Sequence, residues 1–282
     1  ADSLTTPDGI RILGATTNTG FGTSISTAGD VNGDTIGDII IGAPSVGIGI
    51  VYVLFGGPGI RNTFDFDMIP GTGFVTGPYT GFRVFGATSS SRTGLAVSSA
   101  GDINHDGIDD IAVGAPPIAG GPGVVYVIFG RNVAGGADPF MDINLAYGLT
   151  HPEGFTIVGA ATGDQAGAAV NVAGDVNGDG IDDIIIGAPF ADPPALAASS
   201  NGGIAYVIFG RNVAASGPTD DYDLANLTPA LGFRMFGGTL AGKCGASVAG
   251  VGDINGDGVD DVVMGMPLNT GGTSNGYTHI IY

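Results

Sequence analysis

The stretch GDVNGDGIDDIIIGAP, Gly174 to Pro189, sets four aspartates and an asparagine directly ahead of three isoleucines. Acidic loop chemistry therefore abuts a run that reads as a strand buried on both faces. The same pattern occurs three more times, as GDVNGDTIGDIIIGAP from Gly29, GDINHDGIDDIAVGAP from Gly101 and GDINGDGVDDVVMGMP from Gly252. The leading aspartates Asp30, Asp102, Asp175 and Asp253 stand 72, 73 and 78 residues apart. A fixed period of this size marks a repeat architecture, in which no single unit can bury its own apolar face.

Each period carries further strand signals. GIRILGA, GFRVFGA, GFTIVGA and GFRMFGG precede the acidic loops by some 20 residues and alternate as strands do. A small-residue strand (TSISTAG, LAVSSAG, AAVNVAG, ASVAGVG) runs straight into each loop, and a β-branched and aromatic strand (GIVYVLFG, GVVYVIFG, GIAYVIFG, GYTHIIY) follows the GAP-type turn. Four strands per unit predict an all-β fold: a β-propeller of four four-stranded antiparallel blades forming a single domain over 1–282. The repeats run over about 9–80, 81–153, 154–231 and 232–282. The chain opens on the first kind of strand and stops on the last, so pairing of residues 1–15 with the C-terminal strand is expected to close the ring and remove its edges.

In Asp175-Val176-Asn177-Gly178-Asp179-Gly180-Ile181-Asp182-Asp183 the oxygen side chains stand at positions 1, 3, 5 and 9, and position 7 can offer its carbonyl. A wrapped loop with oxygens at alternate positions suits a hard cation with six or seven ligands, which is calcium rather than magnesium; zinc and copper would call for His or Cys. The candidate ligands are Asp30, Asn32, Asp34, Ile36 (carbonyl) and Asp38; Asp102, Asn104, Asp106, Ile108 (carbonyl) and Asp110; Asp175, Asn177, Asp179, Ile181 (carbonyl) and Asp183; and Asp253, Asn255, Asp257, Val259 (carbonyl) and Asp261. About four Ca²⁺ are expected, one per repeat. An EF-hand is excluded, because its position-12 glutamate is replaced by Ile41, Val113, Ile186 or Met264 and no helical pattern flanks the loop. Site one departs from the others, with Thr35 for Gly107, Gly180 and Gly258, and Gly37 for Asp109, Asp182 and Asp260. It is expected to be the weakest or most strained, and Asp109, Asp182 and Asp260 are expected to face solvent.

These loops, each followed by Gly-Ala-Pro at Gly42, Gly114 and Gly187 and by Gly265-Met266-Pro267 in the fourth unit, resemble the FG-GAP repeat of integrin α-subunit propellers and their relatives. The FG half stands at Phe21-Gly22, with Thr93-Gly94, Ala166-Gly167 and Cys244-Gly245 in the matching places. The resemblance covers essentially the whole chain. It implies a calcium-binding, non-enzymatic adhesion or protein-interaction module, extracellular or at the cell surface, with a protein or glycan ligand on a ring face. Integrin propellers have seven blades and four repeats are found here, so a four-bladed ring, a piece of a larger ring and half of an eight-bladed dimer all stay open. A carbohydrate-binding or carbohydrate-cleaving propeller and a scaffold for a neighbouring domain are the alternative functions.

Composition agrees with that class. The chain has 54 glycines, 16 prolines and no tryptophan, and its acidity is aspartate: Glu153 and Lys243 are each the sole residue of their type. A net charge of −19 with eight Lys and Arg excludes nucleic acid as a partner. No apolar run is long enough to span a membrane as a helix, and a monomer is expected. The opening ADSLTTPDG shows no basic-then-apolar leader, as expected of a mature chain or of a piece of a longer one. Cys244 takes the slot of Phe21 and reads as a buried thiol; His279 takes the slot of Tyr52, Tyr126 and Tyr206; His105, at loop position 4, points outward; His151 falls in a loop. No nucleophile-elbow context is present, so no catalytic residue is assigned. Asn226-Leu227-Thr228 reads as a glycosylation acceptor in a secreted eukaryotic protein. The long connections from Gly56, Gly130 and Gly210 read as scaffolding, with ligand-binding surface expected there and in the turns holding Asn201 and Thr270.

Overall fold

Small side chains let the first strand of each unit sit at the crowded inner edge of a sheet, and the β-branched strands stack outward from it. The computed structural model describes residues 11–14, 19–45, 47–57, 65–67, 81–118, 120–133, 140–150, 152–196, 200–213, 221–267 and 275–282. His151 and Thr270 lie outside them.

Blade one comprises β2 (Ser24–Gly29), β3 (Asp38–Ala43), β4 (Ile50–Leu54) and β6 (Gly81–Phe85), antiparallel in that order. A two-residue fifth strand, β10 (Ile143–Asn144), runs parallel along the outer edge of β6. Blade two repeats this with β7 (Ala96–Gly101), β8 (Asp110–Ala115), β9 (Val124–Ile128), β11 (Gly154–Val158) and β15 (Tyr222–Asp223). Blade three is β12 (Ala169–Gly174), β13 (Asp183–Ala188), β14 (Ile204–Ile208) and β16 (Gly232–Phe236). Blade four is β17 (Ser247–Gly252), β18 (Asp261–Met266) and β19 (Tyr277–Ile281). The first three sheets thus borrow their outer strand from the following repeat, whereas the fourth has three strands among the described residues. A further pair, β1 (Arg11–Leu13) with β5 (Asp65–Asp67), is parallel like β6 with β10.

Two findings go beyond four-stranded antiparallel blades. Blades one and two carry the fifth, parallel strand, which belongs to the long connections read from sequence as scaffolding. In addition, the expected closing pair of first and last strands is not among the pairings of the described residues: β1 pairs with β5, and β19 with β18.

The core is a series of layers between blades. Ala28, Val51, Val53, Phe82 and Val84 of blade one meet Val97, Ile111, Val113, Tyr126 and Ile128 of blade two. Equivalent layers join blade two to three and three to four. A strand such as β13 has a blade on either side, so Ile184, Ile185 and Ile186 are all fully buried, each stabilising the fold by about 1.5–3 kcal/mol.

The blades approach through glycine. Gly42, Gly114 and Gly187 of the GAP turns pack against the carbonyls of Gly94, Gly167 and Gly245 in the next blade, where any Cβ would collide with backbone. That contact gives the two glycines of the repeat one shared purpose across a blade junction.

Candidate metal centre

Where each inner strand meets the acidic loop, the ladder skips a residue: Val172 pairs with Ile184 but Gly174 with Asp183, and the same shift recurs at Gly29, Gly101 and Gly252. The four glycines adopt φ of 77, 64, 78 and 69°. This glycine bulge turns the chain out of the sheet and starts the loop.

Inside loop three the Asp175 carboxylate accepts the N–H groups of Gly178 (2.8 Å), Asp179 (3.0 Å) and Gly180 (2.7 Å). Asn177 Oδ1 accepts the Asp179 N–H and Asp179 Oδ1 accepts that of Ile181. Asp30, Asp102 and Asp253 gather N–H groups of their own loops in the same manner. At Asp253 these bonds hold the carboxyl below the usual range. Thr35, where the other loops have glycine, sits at φ 70°, so the strain expected of site one is present.

Position nine is the buried member. Asp38, Asp110, Asp183 and Asp261 are at most 2% exposed. Asp183 accepts the N–H of Val176 (3.0 Å) and of Gly210 (2.8 Å), tying loop to outgoing connection; Asp38 does the same with Val31 and Gly56. Burial, with smaller contributions from the neighbouring carboxylates, pushes Asp38 and Asp183 up to about 7, and it raises Asp110 well above its ordinary value. A carboxylate buried among like charges gains from a cation.

Three oxygens bear on the fit. Asn104 Oδ1, Asp110 Oδ2 and Asp261 Oδ1 are buried without a hydrogen-bond partner, and all belong to predicted ligands. Buried oxygens without a donor cost about 1–3 kcal/mol each unless something satisfies them. A hard cation does so, and the all-oxygen donor set is that of calcium. Among the described residues, however, no three carboxylates already converge as a metal cluster, because the position-one carboxylates are turned onto backbone N–H groups. His105 is exposed, at φ 60°.

The expectation for position eight is corrected. Asp109 accepts the Asp30 N–H at 2.7 Å, Asp182 the Asp102 N–H at 2.9 Å and Asp260 the Asp175 N–H at 3.0 Å, so each grips the preceding blade rather than facing solvent. Gly37 therefore takes nothing from the ligand set of site one. A second feature that sequence reasoning missed is the GRNV segment. Arg131 and Val133 donate their N–H groups to the carbonyls of Val31 and Asn32, and Arg211 and Val213 donate theirs to Ile103 and Asn104. Loops one and two are thus strapped by the next unit, and their Asn32 and Asn104 are buried whereas Asn177 and Asn255 are exposed. The repeated GRNV string after β9 and β14 was the available signal.

A profile of the FG-GAP repeat matches residues 21–54, 93–128, 166–208 and 245–281, more than half of the chain. The chain belongs to the FG-GAP repeat family. Its relatives include integrin alpha-PS5 of Drosophila melanogaster, 29% identical over 61% of this chain and 15% of the relative. Integrin alpha-PS2 of the same organism is 32% identical over 61% and 12%. Phosphatidylinositol-glycan-specific phospholipase D of Bos taurus is 31% identical over 58% and 18%. The chain thus matches less than a fifth of each of these relatives. Among the described residues no helix is long and apolar enough to cross a membrane.

Proposed function

We propose that this FG-GAP chain is a calcium-stabilised, non-enzymatic propeller module of the extracellular space or cell surface, presenting its interblade loops to a protein ligand. The observation carrying the calcium reading is the set of buried oxygens without donors, Asn104 Oδ1, Asp110 Oδ2 and Asp261 Oδ1, each at a predicted ligand position. The ligands are those named above, one loop per blade and about four ions in all. Asp110 and Asp261 bind from the buried side, Asn104 from the strapped turn, and the carbonyls of Ile36, Ile108, Ile181 and Val259 complete the sets. Extracellular modules bind calcium at about 10⁻⁴–10⁻³ M, which suits weak sites of this kind. The adhesion reading draws on the integrin α-subunits among the relatives. The phospholipase D activity is named for relatives of which this chain matches 18%.

Calcium titration by calorimetry, with thermal melting in calcium and in chelator, tests the reading. Binding only to the folded form raises the melting temperature by mass action, so calcium at a hundredfold excess over Kd adds about 2.7 kcal/mol per site. Equal melting temperatures in the two conditions dispose of the calcium role.

A further inference from the structure

The connection that follows the GAP turn is shorter in blade two than in blade three, running over 116–123 rather than 189–203, or eight residues against fifteen. In blade three the longer connection folds back onto its own blade. Its segment Phe190-Ala191-Asp192-Pro193-Pro194 buries Ala191 and Pro193, and Ala191 joins a layer with Ala188, Ile204 and Tyr206 against which Ala160 packs. The matching residues of blade two are Ala115, Val124, Tyr126 and Ala87. Among the described residues no side chain takes the place of Ala191 there, since Ile118 of the shorter connection is 67% exposed. Val124 is accordingly half-buried where Ile204 is buried. What remains is a cleft of about 340 Å³ between this connection and the loop joining β6 to β7.

Its walls are Ala87, Ala115, Pro117, Pro122 and Val124, and no charged side chain lines it. Arg92 of the same loop is turned onto the Pro116 carbonyl (2.9 Å) and Gln165 Oε1 (3.1 Å). Thr88 and Ser90 stand on the exposed rim, and the Ser91 hydroxyl is engaged by Ile48, Thr88 and Thr93. Tyr126 is different. It lines the cleft at 7% exposure, and its hydroxyl has no hydrogen-bond partner among the described residues. Burial, and after it the Asp221 charge, raises the Tyr126 pKa, so the hydroxyl stays protonated and can donate. An occupant suited to these walls is apolar and uncharged, offers one carbonyl and brings no N–H to bury beside it. The Xaa-Pro unit of a peptide meets all of these conditions, because its tertiary amide accepts but cannot donate. We infer that this cleft takes a proline ring from an extended segment of a protein partner, with the carbonyl before the ring accepting the Tyr126 hydroxyl and Ile118 covering the next residue. The chain fills the counterpart in blade three with a proline-bearing segment of its own, which is the same solution made within one molecule. The inference rests on the protein-ligand part of the proposed function and is independent of calcium.

The full chain in calcium is titrated with acetyl-Ala-Pro-Pro-Ala-amide and followed through the backbone amide resonances of 86–95 and 118–124. Saturable shifts confined to those two loops are expected, with a Kd of about 1 mM or below. Acetyl-tetraalanine-amide should bind at least about tenfold more weakly, for want of the ring. Tyr126→Phe deletes a hydroxyl that has no partner in the fold, so the variant should fold as the parent does and bind the proline peptide about two- to tenfold more weakly. Ala87→Leu fills the cleft and should abolish the shifts. No shift with the proline peptide, equal affinity for tetraalanine, or full affinity in Tyr126→Phe overturns the inference. Maltose serves as the glycan probe. Silence of both peptide and maltose strikes the proline cleft alone, whereas maltose moving the same amides in place of the peptide strikes the protein-ligand reading with it.

Discussion

The Asp182 carboxylate of blade three accepts the backbone N–H of Asp102, 80 residues earlier in blade two, at 2.9 Å. Burial first, and then the nearby Asp102, Asp109 and Asp260 charges, raise the Asp182 carboxyl above its ordinary value. A raised folded-state value means that ionisation is disfavoured in the fold, so this group's contribution is fully present below the unfolded carboxylate range and declines as pH rises through the folded value. Asp182→Asn mimics the protonated form and keeps an acceptor oxygen; it is expected to be near neutral at pH 7. Asp182→Ala leaves the Asp102 N–H unpaired and should cost about 1–3 kcal/mol in urea unfolding. Equal losses for Asn and Ala would show that the bond does not hold the junction.

Asp110 separates structural from metal-binding roles. Its side chain is fully buried, accepts the Gly130 N–H at 2.8 Å and has Oδ2 without a partner. Asp110→Asn retains shape and an acceptor for Gly130 while removing a charge that burial already disfavours. In chelator the variant should melt within about 1 kcal/mol of the parent. In calcium it should bind one fewer ion by calorimetry and lose part of the calcium-dependent rise in melting temperature.

The strands and the loops were readable because the chain repeats them four times, so the DIIIGA run could be read as buried on both faces without knowing what covered it. The position-eight clasps were not readable. Their partners lie 79, 80 and 85 residues away, and an aspartate beside four ligand-like residues looks like more of the same loop. The fifth strands escaped for another reason, since two residues are too short to show alternation. Their signal was the recurrence of Asp142-Ile-Asn-Leu-Ala in Asp221-Tyr-Asp-Leu-Ala. In these, Ile143, Leu145, Tyr222 and Leu224 are buried, Asp142 pairs with Arg83 and Asp221 accepts the Thr156 N–H. Ring closure was inferred from complementary chain ends, and the β1–β5 pairing leaves it untested, because the equivalent β6 pairs with β10 along one edge and with β4 along the other.

Cys244 is fully buried, with its Sγ 3.2 Å from Met264 Sδ, and burial pushes its thiol up to about 11. The reactive species is the thiolate. At pH 8 the native protein is expected to leave a disulfide reagent such as DTNB unreacted, and to release one equivalent of thiol only in denaturant. Rapid reaction of the folded protein would show that the third and fourth blades open locally, because Cys244 packs in the layer between them.

Thr35 offers a gain rather than a loss. A β-branched residue at φ 70° is strained by about 1–3 kcal/mol, and its three counterparts, Gly107, Gly180 and Gly258, occupy φ of 89, 84 and 96° without that penalty. The Thr35 N–H donates to Asp30 Oδ2 at 2.7 Å, so the conformation belongs to the loop and persists in the variant. Thr35→Gly relieves the strain but adds freedom to the unfolded chain, which returns about 0.5–1 kcal/mol. The net expectation is a stabilisation of about 0.5–2 kcal/mol in chelator, read as a higher urea midpoint at unchanged m-value. Calcium affinity of the folded protein should stay unchanged, since the strain is already present without the ion and only a difference between free and bound states alters binding. A lower urea midpoint would mean that the threonine side chain makes contacts worth more than the strain.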